Sequence, residues 1–507
     1  MSGAMLAGLL AGLIVVLFLL LTLVQRMDAG RAALAALMVV LIPAGLWWLL
    51  DSYLGVWVTN ARALFIGRSG LEIATIFFVL LLIMIFLRVP IGLAMLIAGV
   101  LGLYMVRGRW GPVMSQLKHV TVETFSSYSL SVVPLFLLMG AFAMKGGLGE
   151  ALFRTAGAWL GHMRGGVAMA GVGASAGFGA ICGSSLATAA TMGRVALPEM
   201  RKHGYSGGLA TGSLAAGGTL GILIPPSIVL VIYAILAEQN IAKLFVAAMV
   251  PGLLAALGYM LTIAILVRIN PKDGVYNPPL PIIERIKALG EVLPVVAIFV
   301  LMIGGMNTGM FTPTEGAAVG AAGVGLVAAL RGRLGWAALI DCFRSTAVAT
   351  GMIFFIVLGA TVFNAFLGFT RLPFFAAEWV EGISTSPYLV LLVILLIYLA
   401  FGCVMDSLSM ILLTIPIFFP IIMRLDFGLT PEETAIWFGI IVLIVVEVGL
   451  ITPPVGMNLF IINSMARGVS MLETYKGVLP FVLSDIIRTL ILVAAPPITL
   501  GLVWLLF

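Results

Sequence analysis

Long uninterrupted runs of apolar residues constrain this chain more than any other feature. They lie at 5–25, 32–50, 71–87, 243–267, 387–402 and 480–507, and each reaches or approaches the roughly 20 residues that cross a bilayer as a helix. Of the 507 residues, 62% are hydrophobic and 9% are charged, whereas soluble globular proteins carry about a quarter charged residues. Membrane strands would alternate apolar and polar residues over short segments, and these runs do not. We therefore predict an all-α, polytopic helical membrane protein.

The few charged residues and the few cysteines exclude several other functions. The net charge of +6 comes from Lys and Arg in short connections, so it signals membrane topology, and we predict no nucleic-acid partner. Cys182, Cys342 and Cys403 lie in or beside apolar segments without a CxxC spacing. This pattern favours neither a disulfide framework nor a transition-metal site.

Polar connections divide the chain into segments. Residues 1–70 contain two apolar runs and an amphipathic stretch, and we predict an accessory helical hairpin followed by that stretch. The first apolar run is too long for a signal peptide, so we expect a retained helix. The long polar connection at 268–290 separates a first repeat, 71–267, from a second repeat, 291–507. Its excess of Lys and Arg favours the cytoplasmic side.

The two halves share motifs in the same order. GSSLATAATMGRVALPEM at 183–200 corresponds to MDSLSMILLTIPIFFPII at 405–422, and GTLGILIPPSIVLVIYAIL at 218–236 corresponds to EVGLITPPVGMNLFIINSM at 447–465. Ser185 in the first half corresponds to Ser407 in the second. The Pro-Pro sequences of the two halves also correspond, at a sequence separation that is six residues larger. We infer an internal duplication, which we interpret as an inverted repeat.

Each repeat is predicted to contain a re-entrant helical hairpin followed by a helix that is broken at a Pro-Pro pair. The hairpin and broken helix lie at about 171–200 and about 209–236 in the first repeat, and at about 388–423 and about 435–465 in the second. Prolines remove amide donors and leave carbonyls free. Such backbone must line a protein cavity rather than face lipid. Free carbonyls and hydroxyls together form an oxygen cage for a small cation, and paired broken helices are typical of a transporter's binding site.

The hairpins and the broken helices provide two clusters of candidate site residues. The first predicted cation cluster is Ser184, Ser185, Thr219, Gly221 and Pro225, and the second is Asp406, Ser407, Thr452, Pro453 and Gly456. We predict sodium as the coupling ion, with no other cofactor. The alternative for each serine or threonine is a hydrogen bond to the carbonyl four residues earlier.

Ionisable residues in or near apolar segments suggest where a substrate binds. Arg371 is the best candidate for holding a carboxylate because its planar guanidinium donates two parallel hydrogen bonds, although it could instead lie at the membrane interface. Ser227 and Asn458 are further candidates for substrate contact. Glu447 borders the second Pro-Pro break, and Glu315 is interpreted as a helix-start residue.

Two other classes of function fit the sequence less well. Residues 173–177 match the letters of a G-x-S-x-G nucleophile elbow, but the histidines, His119, His162 and His203, lie outside the apolar spans, so an intramembrane hydrolase is the least favoured alternative. No P-loop motif occurs, so transport must use an ion gradient. An ion channel remains the other alternative, although channel filters usually arise from symmetric subunits. We predict no enzyme.

Five motifs carry a resemblance to a known family. PTEGAAVGA (313–321), GSSLATAATMG (183–193), LGILIPPSI (220–228), MDSLSMILLTIPIFFP (405–420) and GLITPPVGMNLFIINS (449–464) resemble the large membrane subunit of tripartite ATP-independent periplasmic (TRAP) transporters. The likeness covers about 71–507 and begins with the RVPIGLAM turn at 88–95. The resemblance implies sodium-driven import of an organic acid, usually a carboxylate such as a dicarboxylate, across the bacterial inner membrane. It also implies a periplasmic substrate-binding protein, a separate four-helix small membrane subunit and an elevator mechanism.

Overall fold

The computed structural model describes residues 62, 65, 67–271, 278–375, 378 and 386–507. The hairpin predicted within 1–70 falls almost entirely outside these residues. In chain order the described helices are α1 Gly70–Phe86, α2 Ile91–Arg107, α3 Trp110–Ser126, α4 Val132–Lys145, α5 Leu148–Leu160, α6 Gly166–Cys182, α7 Ser185–Lys202, α8 Gly207–Leu223, α9 Ile228–Leu236, α10 Ile241–Ile269, α11 Ile282–Asn307, α12 Pro313–Leu330, α13 Trp336–Thr370, α14 Pro387–Gly402, α15 Ser407–Ile422, α16 Pro431–Ile451, α17 Met457–Met465, α18 Met471–Ala494 and α19 Pro497–Leu506.

The helical membrane fold predicted from the apolar runs is confirmed. Over the described ranges the ordered elements are helices without strands. Six of these helices are long and apolar enough to cross a membrane, and two bent helix pairs raise that number to as many as eight. The chain is therefore a multi-pass membrane protein.

The chain divides into two compact units, and each contains segments from both predicted repeats. The first unit comprises residues 1–127 and 347–379, and the second comprises 128–346 and 380–507. In the first unit, α2 and α13 approach closely, because a Cβ at Gly99 would lie 2.8 Å from the amide nitrogen of Phe363. Small residues at helix crossings are typical of membrane bundles.

The second unit contains both hairpin-like helix pairs and both helix breaks. Helices α6 and α7 are joined by the turn at 183–184, and α14 and α15 by residues 403–406. Helices α8 and α9 meet at a break over 224–227 with a bend of 45°. Helices α16 and α17 meet at a break over 452–456, and α16 is buried along the whole of its apolar window.

Capping residues explain where these helices start. The N-caps Ser184, Ser206 and Ser227 accept hydrogen bonds from amides in the first turns of α7, α8 and α9, and α16 begins with a capping box formed by Thr430 and Glu433. The Pro-Pro peptide bonds, 225–226 and 453–454, are both cis and lie within the two breaks. Local caps therefore set where α7, α8, α9 and α16 begin.

Candidate functional site

Glycines let each broken helix approach its hairpin without intervening side chains. A Cβ at Gly179 would lie 2.5 Å from the Cα of Gly221, and a Cβ at Gly449 would lie 2.5 Å from the Cα of Gly402. Gly221 and Gly449 each stand four residues before a Pro-Pro pair. In both halves the hairpin and the broken helix therefore cross backbone to backbone, at the glycine four residues before the Pro-Pro pair.

A buried carboxylate connects the tips of the two hairpins. Glu447 lies near the end of α16 and is 1% exposed. Its Oε1 accepts a hydrogen bond of 2.7 Å from the Ser407 hydroxyl, and its Oε2 accepts one from the Ser185 hydroxyl. Ser185 and Ser407 begin α7 and α15, the second helices of the two hairpins. One carboxylate therefore binds equivalent serines from both repeats.

Three further residues of the first predicted cluster, Ser184, Gly221 and Pro225, lie in or beside the first break. Ser184 caps α7 by accepting from the Ala187 amide at 3.4 Å. A Cβ at Gly221 would lie 2.7 Å from the Ser184 carbonyl oxygen and 2.5 Å from Thr188 Oγ1. Thr188 Oγ1 is buried and has no hydrogen-bond partner among the described residues. These oxygens are hard donors of the kind that a small cation binds, and Pro225 lies in the adjoining break.

Thr219 belongs to a separate buried network. Its hydroxyl donates to the Ala216 carbonyl at 2.6 Å and lies 3.0 Å from the Tyr259 hydroxyl. Tyr259 donates to Asp485 Oδ2 at 2.7 Å, and Arg488 forms an ion pair of 2.8 Å with Asp485 Oδ1. Burial of a membrane-depth ion pair requires such hydrogen-bond support.

The second predicted cluster is held mainly by local hydrogen bonds. Asp406 caps α15, its two oxygens accepting from the Ser409 amide at 3.0 Å and the Ser409 hydroxyl at 2.6 Å. Thr452 donates to the Val448 carbonyl at 2.6 Å. Gly456, with φ of 64°, donates its amide to the Cys403 carbonyl at 3.3 Å, which fastens the break beside Pro453 to the hairpin turn.

The three predicted substrate contacts do not lie in one unit. Ser227 caps α9, accepting from the Leu230 amide at 3.3 Å, and is buried. Asn458 is buried on α17 and donates to the Ala215 carbonyl at 3.4 Å, while its Oδ1 has no hydrogen-bond partner within the described part of the chain. Arg371 belongs to the first unit, where it is exposed, has a φ of 58° and lies over the Phe374 ring at 5.6 Å. Glu315 completes the capping box of α12 with Thr312.

Two features of this site were not assigned from sequence. The sequence separation between the two Pro-Pro pairs also relates Thr219, a member of the first cluster, to Glu447. The repeat could therefore have placed Glu447 in the second cluster. The ion pair of Asp485 and Arg488 stands at a spacing of three on one helix, but nothing in the sequence indicates that Tyr259 completes it. No group of three or more metal-binding side chains occurs in the ranges that the structure covers.

Comparison with known protein families identifies the family of this chain. The family model described as "Tripartite ATP-independent periplasmic transporter, DctM component" matches residues 78–498. The chain belongs to this family. The resemblance inferred from the five motifs is thereby confirmed, and the protein is a TRAP transporter large permease rather than an enzyme.

Similar proteins support the same assignment. The permease is 38% identical over 383 residues to the C4-dicarboxylate TRAP transporter large permease protein DctM of Pseudomonas aeruginosa, a match that covers 75% of this chain and 87% of that protein. It is 31% identical to the sialic acid TRAP transporter permease protein SiaT of Haemophilus influenzae, over 85% of this chain and 68% of that protein. Among solved structures, the Alcanivorax borkumensis YdaH transporter matches with a TM-score of 0.53 and 15% identity, over 76% of this chain and 88% of that one. This last likeness concerns the fold alone.

Proposed function

We propose that this permease imports an organic acid across the bacterial inner membrane and couples that import to sodium entry. A periplasmic binding protein delivers the acid, and a separate four-helix small membrane subunit stands beside the permease. Transport follows an elevator mechanism, in which the hairpin-bearing part of the inverted repeat slides against a scaffold. Membership of the TRAP large-permease family supports each of these roles.

The convergence of Ser185 and Ser407 on Glu447 carries the proposal of ion coupling. Both hairpin tips meet one buried acidic group, and the oxygen atoms of Ser184 and Thr188 lie beside the first break. We assign one sodium ion to each predicted cluster. A carboxyl group in an apolar bundle offers oxygen ligands to a cation, and an ionisable residue at membrane depth generally marks an ion pathway.

The substrate class is proposed as small organic acids, with C4-dicarboxylates first. The named relatives include C4-dicarboxylate, sialic acid and isethionate permeases, whose substrates are all anions. Succinate, N-acetylneuraminate and isethionate therefore form the first screen.

Replacing sodium by potassium is expected to abolish uptake. The assay uses liposomes with the permease and its small subunit, supplied with loaded binding protein, at constant membrane potential. Potassium is too large for a cage built around sodium, so the substrate loses its driving ion. Undiminished uptake in potassium would rule out sodium coupling.

Arg371 and Asp406 are expected to affect different steps. Arg371→Lys keeps the charge but not the planar pair of donors, so we expect impaired uptake that added sodium does not restore. Asp406→Asn removes a negative charge from the second cluster but keeps an acceptor for Ser409, so we expect a raised sodium requirement that high sodium largely overcomes. Initial uptake rate against sodium concentration separates the two. If Arg371→Lys matches wild type and Asp406→Asn leaves the sodium curve unmoved, both assignments fail.

A further inference from the structure

An apolar cavity of about 250 Å³ lies beside the first hairpin and is lined by residues of the second unit. Helices α5, α6, α10 and α11 surround it, together with the start of the first break. Among the described residues that line it, none carries a charged or polar side chain. We call this space the hairpin cavity, and its lining includes Ala176, Ala180, Ile224, Met249, Val295 and Phe299.

The hairpin cavity lies next to the close crossing of the hairpin and the broken helix. Ala180 and Ile181 line the cavity from the last turn of α6, and Ile224 lines it from the first position of the break. Gly179, the neighbour of Ala180, is the residue whose Cβ would lie 2.5 Å from the Cα of Gly221. The last turn of α6 therefore contacts the broken helix with one residue and the cavity with the next, so an occupant of the cavity contacts the hairpin close to its tip.

The hairpin cavity continues into the apolar outer faces of α10 and α11. Leu253 on α10 and Val296 on α11 line the cavity, yet they are 54% and 47% exposed. Leu257 and Val300, four residues further along the same helices, are also exposed. Both helices are long and apolar enough to cross a membrane, so exposed apolar faces of this kind contact lipid chains. The cavity is therefore open to the hydrocarbon interior of the bilayer.

The chemistry of the lining selects the occupant. An apolar cavity offers no hydrogen bonds to water or to an organic anion, and cavities of this kind stay dry and take up apolar guests. If the cavity were vacant, its lining would lose van der Waals contacts on one side. A helix with its side chains is about 10 Å across and could enter only with single protruding side chains. A hydrocarbon chain is narrow and flexible, and the bilayer supplies it at the mouth of the cavity.

We propose that the hairpin cavity is a binding site for one acyl chain of a membrane phospholipid, which packs between the first hairpin and helices α10 and α11. Ala176, Gly177 and Ala180 leave room for the chain, because their side chains are small or absent. The bound chain completes the packing of α6 where the broken helix does not cover it. This inference goes beyond the proposed import of an organic acid and does not depend on sodium coupling.

Photochemical cross-linking tests the site directly. The permease with its small subunit is reconstituted in vesicles of phosphatidylethanolamine and phosphatidylglycerol, with a small fraction of phosphatidylcholine that carries a diazirine group on one acyl chain. After irradiation, mass spectrometry of the peptides locates the adducts. Helix α6 is the reporter, because its residues are buried or half-buried from Gly166 to Cys182. Lipids that only surround the protein label α10 and α11, whereas a chain in the cavity also labels residues 176–181.

Two variants fill the cavity with protein atoms. Ala176→Leu and Val295→Phe each enlarge a lining side chain, and displacing methylene groups from an apolar site weakens binding. We expect the α6 adducts to fall by about tenfold in each, which corresponds to about 1.4 kcal/mol of binding free energy. Ala297→Leu is the matched control, because Ala297 is exposed on α11 and does not line the cavity. It should leave the α6 adducts unchanged.

The wild-type result is decisive by itself and needs no variant. Absence of adducts on α6 in wild type would overturn the acyl-chain site. Adducts that persist at the wild-type level in both filling variants would also overturn it, since the chain would then reach α6 elsewhere. Adducts that form only when the small subunit is omitted would assign the cavity to that subunit instead. A circular dichroism spectrum equal to wild type confirms that each variant is folded.

Discussion

Glu447→Leu is expected to reduce sodium-driven uptake by roughly 100-fold and to destabilise the permease. The leucine removes the acceptor of two buried hydroxyls, and each hydroxyl left without a partner costs about 1–3 kcal/mol. If the conformation in which both hairpins contact residue 447 is destabilised by about 3 kcal/mol, its population falls by roughly a factor of 100. We expect uptake to fall in proportion. Uptake in liposomes and thermal unfolding in detergent measure the two effects.

A triple variant separates the two consequences of this change. Adding Ser185→Ala and Ser407→Ala to Glu447→Leu removes the orphaned hydroxyls, and eliminating both partners of a buried hydrogen bond is close to neutral. The triple variant should therefore recover much of the lost stability but none of the uptake. Glu432→Leu is the matched control, because Glu432 forms only a surface ion pair with Lys243 and should change stability by less than about 1 kcal/mol. A triple variant no more stable than Glu447→Leu would contradict the hydrogen-bonded arrangement.

Gly221→Ala and Gly449→Ala are each expected to destabilise the permease and to suppress uptake. At 221 the new methyl group would lie 2.7 Å from the Ser184 carbonyl oxygen, and at 449 it would lie 2.5 Å from the Cα of Gly402. Backbone atoms cannot move aside as a flexible side chain can, so helix and hairpin must separate. Overpacking of this kind costs about 1–3 kcal/mol.

Gly304→Ala is the matched control for both glycine variants. Gly304 also lies within an apolar helix of the second unit, α11, but no heavy atom lies within 4 Å of its would-be Cβ. Alanine should be neutral or slightly stabilising there. Unfolding temperature and initial uptake rate give the comparison. If Gly221→Ala and Gly449→Ala behave like Gly304→Ala, the close backbone crossings are not needed for function.

Much of the architecture could be predicted because membrane helices are encoded locally. The apolar runs predicted helices, and the glycines, serines and Pro-Pro pairs indicated where α6, α8 and α16 would end. In the structure helix ends fall at Gly183, Ile224 and Thr452, next to those residues. Each of these signals acts within a few residues, so no tertiary information was needed.

The contacts within the site could be predicted only in part. The repeat identifies Ser185 and Ser407 as candidate site residues. Their shared partner, Glu447, is distant from Ser185 in sequence, so only the packed helices show that these side chains meet. Asp406 illustrates the opposite case. Its charge suggested a cation ligand, whereas its observed hydrogen bonds are those of an N-cap, a role that the Asp-Ser-Leu-Ser sequence also permits. Residue type and spacing do not distinguish these two uses of a carboxylate.

Simultaneous measurement of sodium and substrate entry tests the central claim most directly. Liposomes containing the permease and its small subunit receive loaded binding protein, radioactive sodium and a differently labelled acid from the first screen. We expect sodium and acid to enter together, at a constant ratio of at least one sodium ion per acid molecule, and Glu447→Leu to reduce both fluxes. Entry of the acid without sodium, or an unchanged ratio and rate in Glu447→Leu, would contradict the account.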